Sequence, residues 1–533
     1  KHTYSLAFST AGTTGGSIDY SAVDYMRVYC VHIPKNIDKL NVKIDNVKII
    51  DRTHTTSLPT FFSDGMMFQQ KKPINIWGYG ASGRTIKVKF YKGDNLLQTK
   101  DGVTDTEGRW AVQFDACNAG FDKYKFEVLE GDDVIQTVSD ILIGEVWVAA
   151  GQSNMALSVS ATQQKDELMN SADNDNIRFL YMPTYPYSGT GTGEMPIKPT
   201  KDIAGAYWGH GNNGVQVGSV SAVAYIAIKD LQGKLGIPVG FLYTPIGGSV
   251  IEAWIPRAEL EENTELVNTL TRRGLYYDED FWVDNSTTVT ALYNQKVGPL
   301  EGFNVAGVMW YQGESNTHHP DNYLDLLRRM IEGYRKEWND PKLPFQIVEL
   351  PNLMVDMEGA EEGWRVLREL QRRSAVIPDV DVAVTIDLGE DNDLHPQNKK
   401  DLGKRLALLA AARLGIPVES KGPEVTEITV ASDEANNLRT IRLTCSHAEG
   451  LHASSEDKGE EILDFEVVND NGEVLQPKTQ IKGQEIVLTI PDKETEVKLI
   501  RYCYRTSNIG ALVYNRAGLP MSPFVRRVYE ETV

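Results

Sequence analysis

Five continuous apolar runs in the middle of the chain dominate its hydrophobic pattern. They are GEVWVAAG (144–151), VGFLYTPIGG (239–248), VAGVMWYQG (305–313), FQIVEL (345–350) and VAVTIDLG (382–389). Such runs are typical of strands that are buried on both faces of a parallel sheet, whereas half-buried strands alternate apolar and polar residues. The pattern therefore predicts a central parallel β-sheet.

Segments of helical periodicity separate these runs. The clearest carries one apolar stripe on an otherwise charged segment, formed by Tyr323, Leu326, Leu327, Met330, Ile331, Tyr334 and Trp338. Residues 220–235, 364–376 and 399–414 also repeat near a period of 3.6. This alternation of strand and helix predicts an α/β fold with a three-layer α/β/α domain, which we place at residues 141–415.

The flanking regions alternate apolar and polar residues with period two, which predicts β-strands. In residues 57–140, turns containing Gly, Asp and Asn recur at a spacing of about ten residues, which predicts a sandwich-like β domain. Residues 416–533 are predicted to form a C-terminal β-rich domain. Residues 1–56 are also β-rich and form an N-terminal segment that we assign to no particular kind of domain.

Charge and hydropathy exclude several classes of protein. The 533 residues include 54 Lys and Arg against 74 Asp and Glu, giving a net charge of −20 that disfavours a nucleic-acid partner. The apolar runs are far shorter than the roughly 18 residues of a spanning helix, so no membrane association is expected. Residue 1 is Lys rather than Met, and we expect a periplasmic or secreted protein whose leader is absent from this sequence.

The four cysteines do not form a pattern typical of a disulfide framework or a zinc site. They are Cys30, Cys117, Cys445 and Cys503. Cys445 and Cys503 both lie in strand-like sequence near the C-terminus and could pair. Packed, free thiols are the favoured interpretation.

Polar residues that could carry chemistry follow the apolar runs directly. In an open parallel sheet, ligands bind outside the carboxyl ends of the strands. Ser153 follows the first run, and its hydroxyl would lie beside free backbone N–H groups at a helix start; a simple helix N-cap is the alternative. Gly247 and Gly248 follow the second run, where paired glycines let the backbone approach a ligand.

The ends of the third and fifth apolar runs are rich in amides, carboxylates and histidine. Gln312 and Asn316 lie within YQGESN after the third run. The adjacent His318 and His319 lack an evident third ligand, which favours a solvated loop over a metal site. His395 lies among carboxylates before a helix, as a general base would; a polar helix entry is the alternative. Four such groups at one sheet edge favour a catalytic site.

The chain resembles a known family through motifs that occur in the same order. They are GEVWVAAGQSNM, GGSVIEAW, VMWYQGESN and LHPQNKKDLGKRLAL, with LPTFFSDGMMFQQKKPINIWGYG upstream and LVYNRAGLPMSPF at the end. Together they resemble the sialate O-acetylesterases within the SGNH (GDSL-like) hydrolases. The resemblance covers residues 57–533 and implies an SGNH-type α/β/α domain flanked by N-terminal and C-terminal β-rich domains.

The resemblance also implies roles for individual residues. Ser153 would be the nucleophile and His395 the base. The oxyanion hole would combine the Ser153 N–H, a glycine of Gly247-Gly248 and the amide of Gln312 or Asn316. Many relatives carry Asp three residues before the histidine, and here that position is Asn392. Asp393 is our preferred third member of a triad; Asp391, or a backbone carbonyl in a Ser–His dyad, is the alternative.

The leading hypothesis is a carbohydrate O-acetylesterase that removes acetyl groups from sialic acids through an acetyl-enzyme, without metal or cofactor. An acetylesterase of xylan or another plant polysaccharide would use the same chemistry. An inactive carbohydrate-binding protein is the non-enzymatic alternative. A sialic acid substrate calls for a cation near the site, which Arg257, Arg365, Arg368 or His318 could supply.

Overall fold

The computed structural model describes residues 56–183, 194–195, 198–277, 281–282, 286–354, 361–454 and 464–528. Of the β-rich segment predicted at residues 1–56, all but Thr56 lies outside the described residues.

The first described region is built from β-strands. They are β1 (Met67–Gln69), β2 (Ile74–Tyr79), β3 (Thr85–Lys92), β4 (Asn95–Val103), β5 (Arg109–Phe114), β6 (Gly120–Glu130) and β7 (Asp133–Gly151). β3 shows why the sequence forms strands here, since Ile86, Val88 and Phe90 are fully buried while Lys87, Lys89 and Tyr91 on the other face are partly exposed.

Strand β7 belongs to two regions of the molecule. Its first half pairs antiparallel with β6, and residues from Glu145 onward pair in parallel with strands of the central sheet. Every residue from Ile141 to Gly151 is buried, as the apolar run predicts. The strand therefore runs without a break across position 140/141, where the sequence suggested a domain boundary.

The middle of the chain alternates helices and strands. They are α1 (Ser153–Ala156), α2 (Lys165–Asn170), β8 (Ile177–Tyr181), β9 (Glu194–Met195), β10 (Tyr207–His210), α3 (Gly214–Gly218), α4 (Ala222–Leu235), β11 (Val239–Tyr243), α5 (Arg257–Glu261), α6 (Thr264–Arg272), β12 (Phe281–Trp282), β13 (Gly307–Tyr311), α7 (Tyr323–Glu337), β14 (Phe345–Val348), α8 (Glu361–Arg373), β15 (Val380–Ala383) and α9 (Lys400–Arg413). Short 3-10 turns span Val159–Ala161, Ile251–Trp254, Gly298–Leu300, Glu314–Asn316 and Ser374–Val376, and a π-helical turn spans Tyr293–Val297.

The central sheet has the strand order β10-β8-β11-β7-β13-β14-β15. All its neighbouring strands are parallel except β10, which runs antiparallel to β8. The five apolar runs are β7, β11, β13, β14 and β15, so the predicted α/β fold is confirmed. The sequence pattern missed β8 because Arg178 interrupts its apolar residues; the guanidinium is buried against Asp140 and Asp175.

Helices cover both faces of the sheet. Val146 and Val148 of β7 share a core with Leu327 of α7 and Leu367 of α8. Residues of β7 on the opposite face, such as Trp147, pack in a second core with side chains of α4 and α9. The predicted stripe of α7 lies in the first core, with each residue from Tyr323 to Tyr334 in that stripe at most 2% exposed. These two cores make the three-layer arrangement.

The C-terminal region is again built from β-strands. They are β16 (Glu424–Asp433), β17 (Leu438–Ser446), β18 (His452–Ser454), β19 (Phe465–Asn469), β20 (Val474–Leu475), β21 (Lys478–Lys482), β22 (Glu485–Pro491), β23 (Val497–Tyr502), β24 (Leu512–Tyr514) and β25 (Phe524–Arg527). Sheets of order β16-β17-β22-β21 and β20-β19-β23-β25 contribute to one core. Cys445 and Cys503 lie in that core as free thiols, which confirms the favoured interpretation.

None of the described helices combines the length and apolarity needed to cross a membrane.

Candidate active site

The turn after β7 places Ser153 at the carboxyl end of the central sheet. Gly151 has φ +133°, and a Cβ atom there would lie 2.0 Å from the carbonyl oxygen of Tyr311 in β13. Only glycine fits this close approach. Ser153 is the first residue of α1, and Gln152 occupies the N-cap position without a side-chain capping bond. Ser153 therefore does not act as the N-cap that the sequence left as an alternative.

Ser153 and His395 are in direct contact. The Nε2 atom of His395 lies 2.8 Å from the Oγ atom of Ser153, and both residues are half-buried. His395 comes from the loop between β15 and α9, 242 positions further along the chain. With the imidazole proton on Nδ1, Nε2 accepts a hydrogen bond from the serine hydroxyl, which is the geometry of a nucleophile and its general base.

The two aspartates beside His395 make other contacts. Asp393 Oδ1 accepts a hydrogen bond of 2.8 Å from the backbone N–H of His395, not from its ring. Asp391 Oδ1 accepts from Asn352 Nδ2 at 3.1 Å and from Ser507 Oγ at 2.6 Å. No described residue forms a hydrogen bond with Nδ1 of His395. In this structure Asp393 shapes the loop that carries the histidine.

Backbone N–H groups lie beside the serine. Gly247 is exposed, and a Cβ atom on it would lie 3.7 Å from the Cβ atom of Ser153. The N–H groups of Ser153, Gly247 and Gly248 make no hydrogen bond to any other described residue. Gly248 has φ +70°, which lets the chain turn away directly after Gly247. Uncommitted N–H groups next to a serine hydroxyl are suited to bind an oxyanion.

The amides of Gln312 and Asn316 connect two of the strand-end turns. Gln312 is fully buried and donates to the Ser249 carbonyl oxygen at 3.0 Å and to Asn316 Oδ1 at 2.7 Å. Asn316 in turn donates to Glu252 Oε2 at 2.8 Å. Both N–H bonds of the Gln312 side-chain amide thus donate to acceptors within the protein. These contacts differ from the oxyanion binding that the sequence analysis predicted for Gln312. The second N–H of the Asn316 side-chain amide makes no hydrogen bond to any other described residue.

A buried polar network behind Ser153 was missed by the sequence analysis. Asn154 Nδ2 donates to Glu314 Oε1 at 2.6 Å and to the Leu394 carbonyl oxygen at 2.9 Å. Asn154 Oδ1 accepts from Lys399 Nζ at 2.8 Å. Leu394 directly precedes His395, so Asn154 fastens the turn that contains Ser153 to the histidine loop. The only signal in the sequence was that each of these polar residues lies within one of the motifs that carry the family resemblance.

Burial shifts the pKa values of both charged groups in this network. Desolvation raises the pKa of Glu314, opposed by its hydrogen bond from Asn154 and by the positive charge of Lys399. Desolvation lowers the pKa of Lys399 to about 8, opposed by the negative charge of Glu314. Each charge therefore depends on the other for its stability in the protein interior.

Gln152 is a second residue that the sequence analysis missed. Its Oε1 atom accepts from the backbone N–H groups of Gly313 at 3.3 Å and Ser315 at 3.2 Å. Gln152 is 3% exposed, so this contact holds the third strand-end turn against the first in a dry environment.

His318 and His319 are exposed, and no group of three or more His, Cys, Asp or Glu side chains in the described ranges could hold a metal ion.

Comparisons with known proteins agree on one family. A family model described as carbohydrate esterase, sialic acid-specific acetylesterase matches residues 143–412, just over half of the chain. The sialate O-acetylesterase of Mus musculus is 28% identical over 396 residues, which cover 66% of this chain and 72% of the relative. That of Homo sapiens is 25% identical over 507 residues, which cover 87% of this chain and 91% of the relative.

A solved structure extends the likeness to the whole fold. It is a carbohydrate acetylesterase from Xanthomonas citri, 27% identical, with a TM-score of 0.74 over 88% of this chain and 99% of that chain. Residues 143–412, which the family model matches, contain the serine turn, the glycine turn, the amide-rich turn and the histidine loop. The chain belongs to the carbohydrate esterase family of sialic acid-specific acetylesterases.

Proposed function

We propose that this protein removes O-acetyl groups from sialic acids by serine nucleophilic catalysis. Family membership makes it a carbohydrate O-acetylesterase, a carboxylic ester hydrolase. The observation that carries the mechanism is the 2.8 Å contact between Ser153 Oγ and His395 Nε2 at the carboxyl edge of the sheet. The family description and the sialate O-acetylesterase relatives support the choice of substrate.

The reaction begins with attack of Ser153 Oγ on the acetyl carbonyl carbon. His395 Nε2 accepts the hydroxyl proton as the C–O bond forms. The carbonyl oxygen becomes an oxyanion, which the N–H groups of Ser153 and Gly247 stabilise. Collapse of the tetrahedral intermediate breaks the bond to the sugar oxygen, which takes the proton from His395 and leaves. Ser153 then carries the acetyl group as an ester.

Water completes the cycle. His395 Nε2 takes a proton from water as the water oxygen attacks the acetyl-enzyme carbonyl. When the second tetrahedral intermediate collapses, His395 returns that proton to Ser153 Oγ, and acetic acid leaves and ionises to acetate. The imidazolium formed in each half-reaction lies near the buried carboxyl of Glu314, whose pKa it lowers. Asn154 keeps the serine turn and the histidine loop in register through its hydrogen bonds to Glu314 and to the Leu394 carbonyl oxygen.

Acetate release from defined substrates tests this proposal. We expect the protein to release acetate from O-acetylated sialic acids, and Ser153→Ala to lower kcat by about a thousandfold or more, because nucleophile and base act as a unit. Ser160→Ala is the matched control, since among the described residues that exposed hydroxyl forms a hydrogen bond only with Ser158. Near-normal turnover by Ser153→Ala would exclude the mechanism. Acetate released from acetylated xylo-oligosaccharides and not from sialic acids would exclude the substrate.

A further inference from the structure

Lys399 is a buried lysine behind Ser153 and His395. It is 2% exposed and occupies the N-cap position of α9, where the helix dipole disfavours a positive charge. Burial also disfavours the charge and lowers the pKa of the ammonium group to about 8. An ammonium group has three donors and no acceptor, so it stays charged in such a place only if neighbouring groups compensate it.

Three carboxyl groups, an aromatic ring and an amide surround this ammonium group. Glu314, Asp393 and Glu390 contribute the negative charges that oppose the fall in its pKa, and Glu314 contributes most. The centroid of the Tyr311 ring lies 5.6 Å from Nζ. The only hydrogen bond that the ammonium group makes to a described residue is the one to Asn154 Oδ1, at 2.8 Å. Asn154 is therefore its direct partner.

The Asn154 amide lies between a cation and a carboxyl group. Its Oδ1 accepts from the Lys399 ammonium group, and its Nδ2 donates to Glu314 Oε1 at 2.6 Å. The negative end of the amide dipole thus faces the cation, which is the favourable orientation for a side chain that is only 1% exposed. Turning the amide over would place an N–H group against an ammonium group that can only donate. The charge of Lys399 therefore fixes the orientation of the amide.

The orientation of this amide determines its contact with the histidine loop. Nδ2 of Asn154 also donates to the Leu394 carbonyl oxygen at 2.9 Å. Leu394 directly precedes His395, whose Nε2 lies 2.8 Å from Ser153 Oγ. A turned amide would place Oδ1 against the Leu394 carbonyl oxygen, and two acceptors cannot form a hydrogen bond. The loop would then lose its contact with the residue that follows Ser153.

The main chain at Lys399 has support that does not depend on its side chain. Its N–H donates to Gln164 Oε1 at 3.1 Å. Leu402 and Leu406 of α9 are buried in the same core as Val223 of α4. A change of the Lys399 side chain should therefore leave the start of α9 in place, so that its effect on the histidine loop can be measured in folded protein.

We infer that Lys399 is a positioning residue for the esterase reaction: its ammonium group orients the Asn154 amide, which holds the histidine loop against the serine turn. The inference rests on the proposed function, because it concerns the distance between Ser153 and His395. Both half-reactions need His395 at the reacting oxygen, and a displacement of about 1 Å costs about a hundredfold in rate. Lys399 accordingly affects kcat rather than KM.

Hydrolysis of an aryl acetate tests this role without depending on recognition of a sugar. We expect Lys399→Met, which removes the charge and the donors, to lower kcat by about a hundredfold with KM nearly unchanged. Lys399→Gln keeps an N–H donor without the charge and should lower kcat by about tenfold. Lys400→Met is the matched control, because the ammonium group of this neighbouring lysine binds the exposed Glu167; its kcat should change by less than about twofold.

A double-mutant cycle separates action through Asn154 from a general structural effect. If Lys399 acts through Asn154, Lys399→Met should lower the kcat of the Asn154→Ala protein by less than about threefold, although it lowers that of the wild type about a hundredfold. A hundredfold reduction in both backgrounds would overturn the inference. A rise in KM with kcat unchanged in Lys399→Met would also overturn it.

The remaining outcomes distinguish this inference from the proposed function. If the wild type does not hydrolyse the aryl acetate, the serine mechanism fails and the positioning role fails with it. If Ser153→Ala abolishes hydrolysis and Lys399→Met has the kcat of the wild type, the positioning role alone is overturned. Should Lys399→Met not fold, the same cycle with Lys399→Gln decides, and a wild-type kcat in Lys399→Gln would overturn the inference.

Discussion

At the residue scale, the contacts of His395 distinguish two ways of orienting a catalytic base. In one, a carboxylate accepts the Nδ1 proton and fixes the tautomer; losing such a carboxylate costs up to about ten-thousandfold in rate. In the other, the loop backbone holds the ring. Here Asp393 contacts the backbone N–H of His395 at 2.8 Å. An uncharged amide oxygen can also accept that hydrogen bond, although more weakly than a carboxylate.

Asp393→Asn should therefore lower kcat on an aryl acetate by less than about tenfold, because the amide oxygen still accepts from the backbone N–H. Asp393→Ala, which removes the acceptor, should cost more. Asp391→Asn, two residues earlier in the same loop, is the control, and the partners of Asp391 are Asn352 and Ser507. A loss near ten-thousandfold in Asp393→Asn would show instead that the carboxylate reaches the imidazole during catalysis.

At the element scale, helix α8 supports the strand-end turn that contains Gln312. Gln371 Nε2 donates to the Gln312 carbonyl oxygen at 2.8 Å. Gly363 lies so close to that turn that a Cβ atom would be 1.7 Å from the Thr317 carbonyl oxygen. The turn position depends on this close packing, because backbone atoms cannot yield as a flexible side chain would.

Two helical glycines provide a matched test of this packing. Gly363→Ala should lower the free energy of unfolding by about 2 kcal/mol, because the added methyl group forces α8 away from the turn. Gly233→Ala in α4 should raise it by about 0.5 to 1 kcal/mol, since that glycine is exposed, with no atom within 4 Å of the added methyl group. Urea unfolding of both variants measures the difference. Equal effects would contradict the packing argument.

At the scale of the whole molecule, buried charges fasten the C-terminal β domain to the esterase domain. Glu349, at the carboxyl end of β14, is fully buried and accepts a hydrogen bond from Ser522 Oγ. Its other carboxylate oxygen has no partner among the described residues. Desolvation raises the pKa of Glu349 to about 7, opposed by the Ser522 bond and by the charges of Arg368 and Arg372.

This buried acid makes stability depend on pH. Below about pH 4.5 Glu349 is neutral in both folded and unfolded protein, and the folded state has its full stability. As pH rises towards about 7, the unfolded chain loses the proton first, so stability falls and then levels off. The difference between about 7 and the ordinary value of 4.5 corresponds to a loss of about 3 kcal/mol.

Glu349→Gln removes this titration. Relative to the wild type, we expect the variant to gain up to about 3 kcal/mol of unfolding free energy between about pH 4.5 and about pH 8, measured by urea unfolding at both values. Glu332→Gln, at an exposed position on α7, is the control and should show no such change with pH. A constant difference between wild type and Glu349→Gln would mean that Glu349 has the same pKa in the folded and the unfolded state, so that burial does not shift it.

The sequence by itself determined five strands of the central sheet, the long helices and the edge of the sheet at which polar residues gather. Apolar runs and the apolar stripe of α7 predict buried elements without knowledge of the rest of the fold. The spacing of apolar residues along the chain already sets which face of a strand or helix is apolar, and apolar faces are buried. Parallel strands end at one edge, so Ser153, Gly247 and His395 could be expected to lie near one another before their distances were known.

Only the tertiary structure decided what each polar side chain does at that edge. The partners of Asn154 lie 160 and 245 positions away at Glu314 and Lys399, and no local pattern relates them. Gln312 and Asn154 are both amides in strand-end motifs, yet one fastens neighbouring turns and the other fastens the histidine loop. The direction of a short, directional hydrogen bond depends on where the surrounding backbone lies, and the fold alone sets that position.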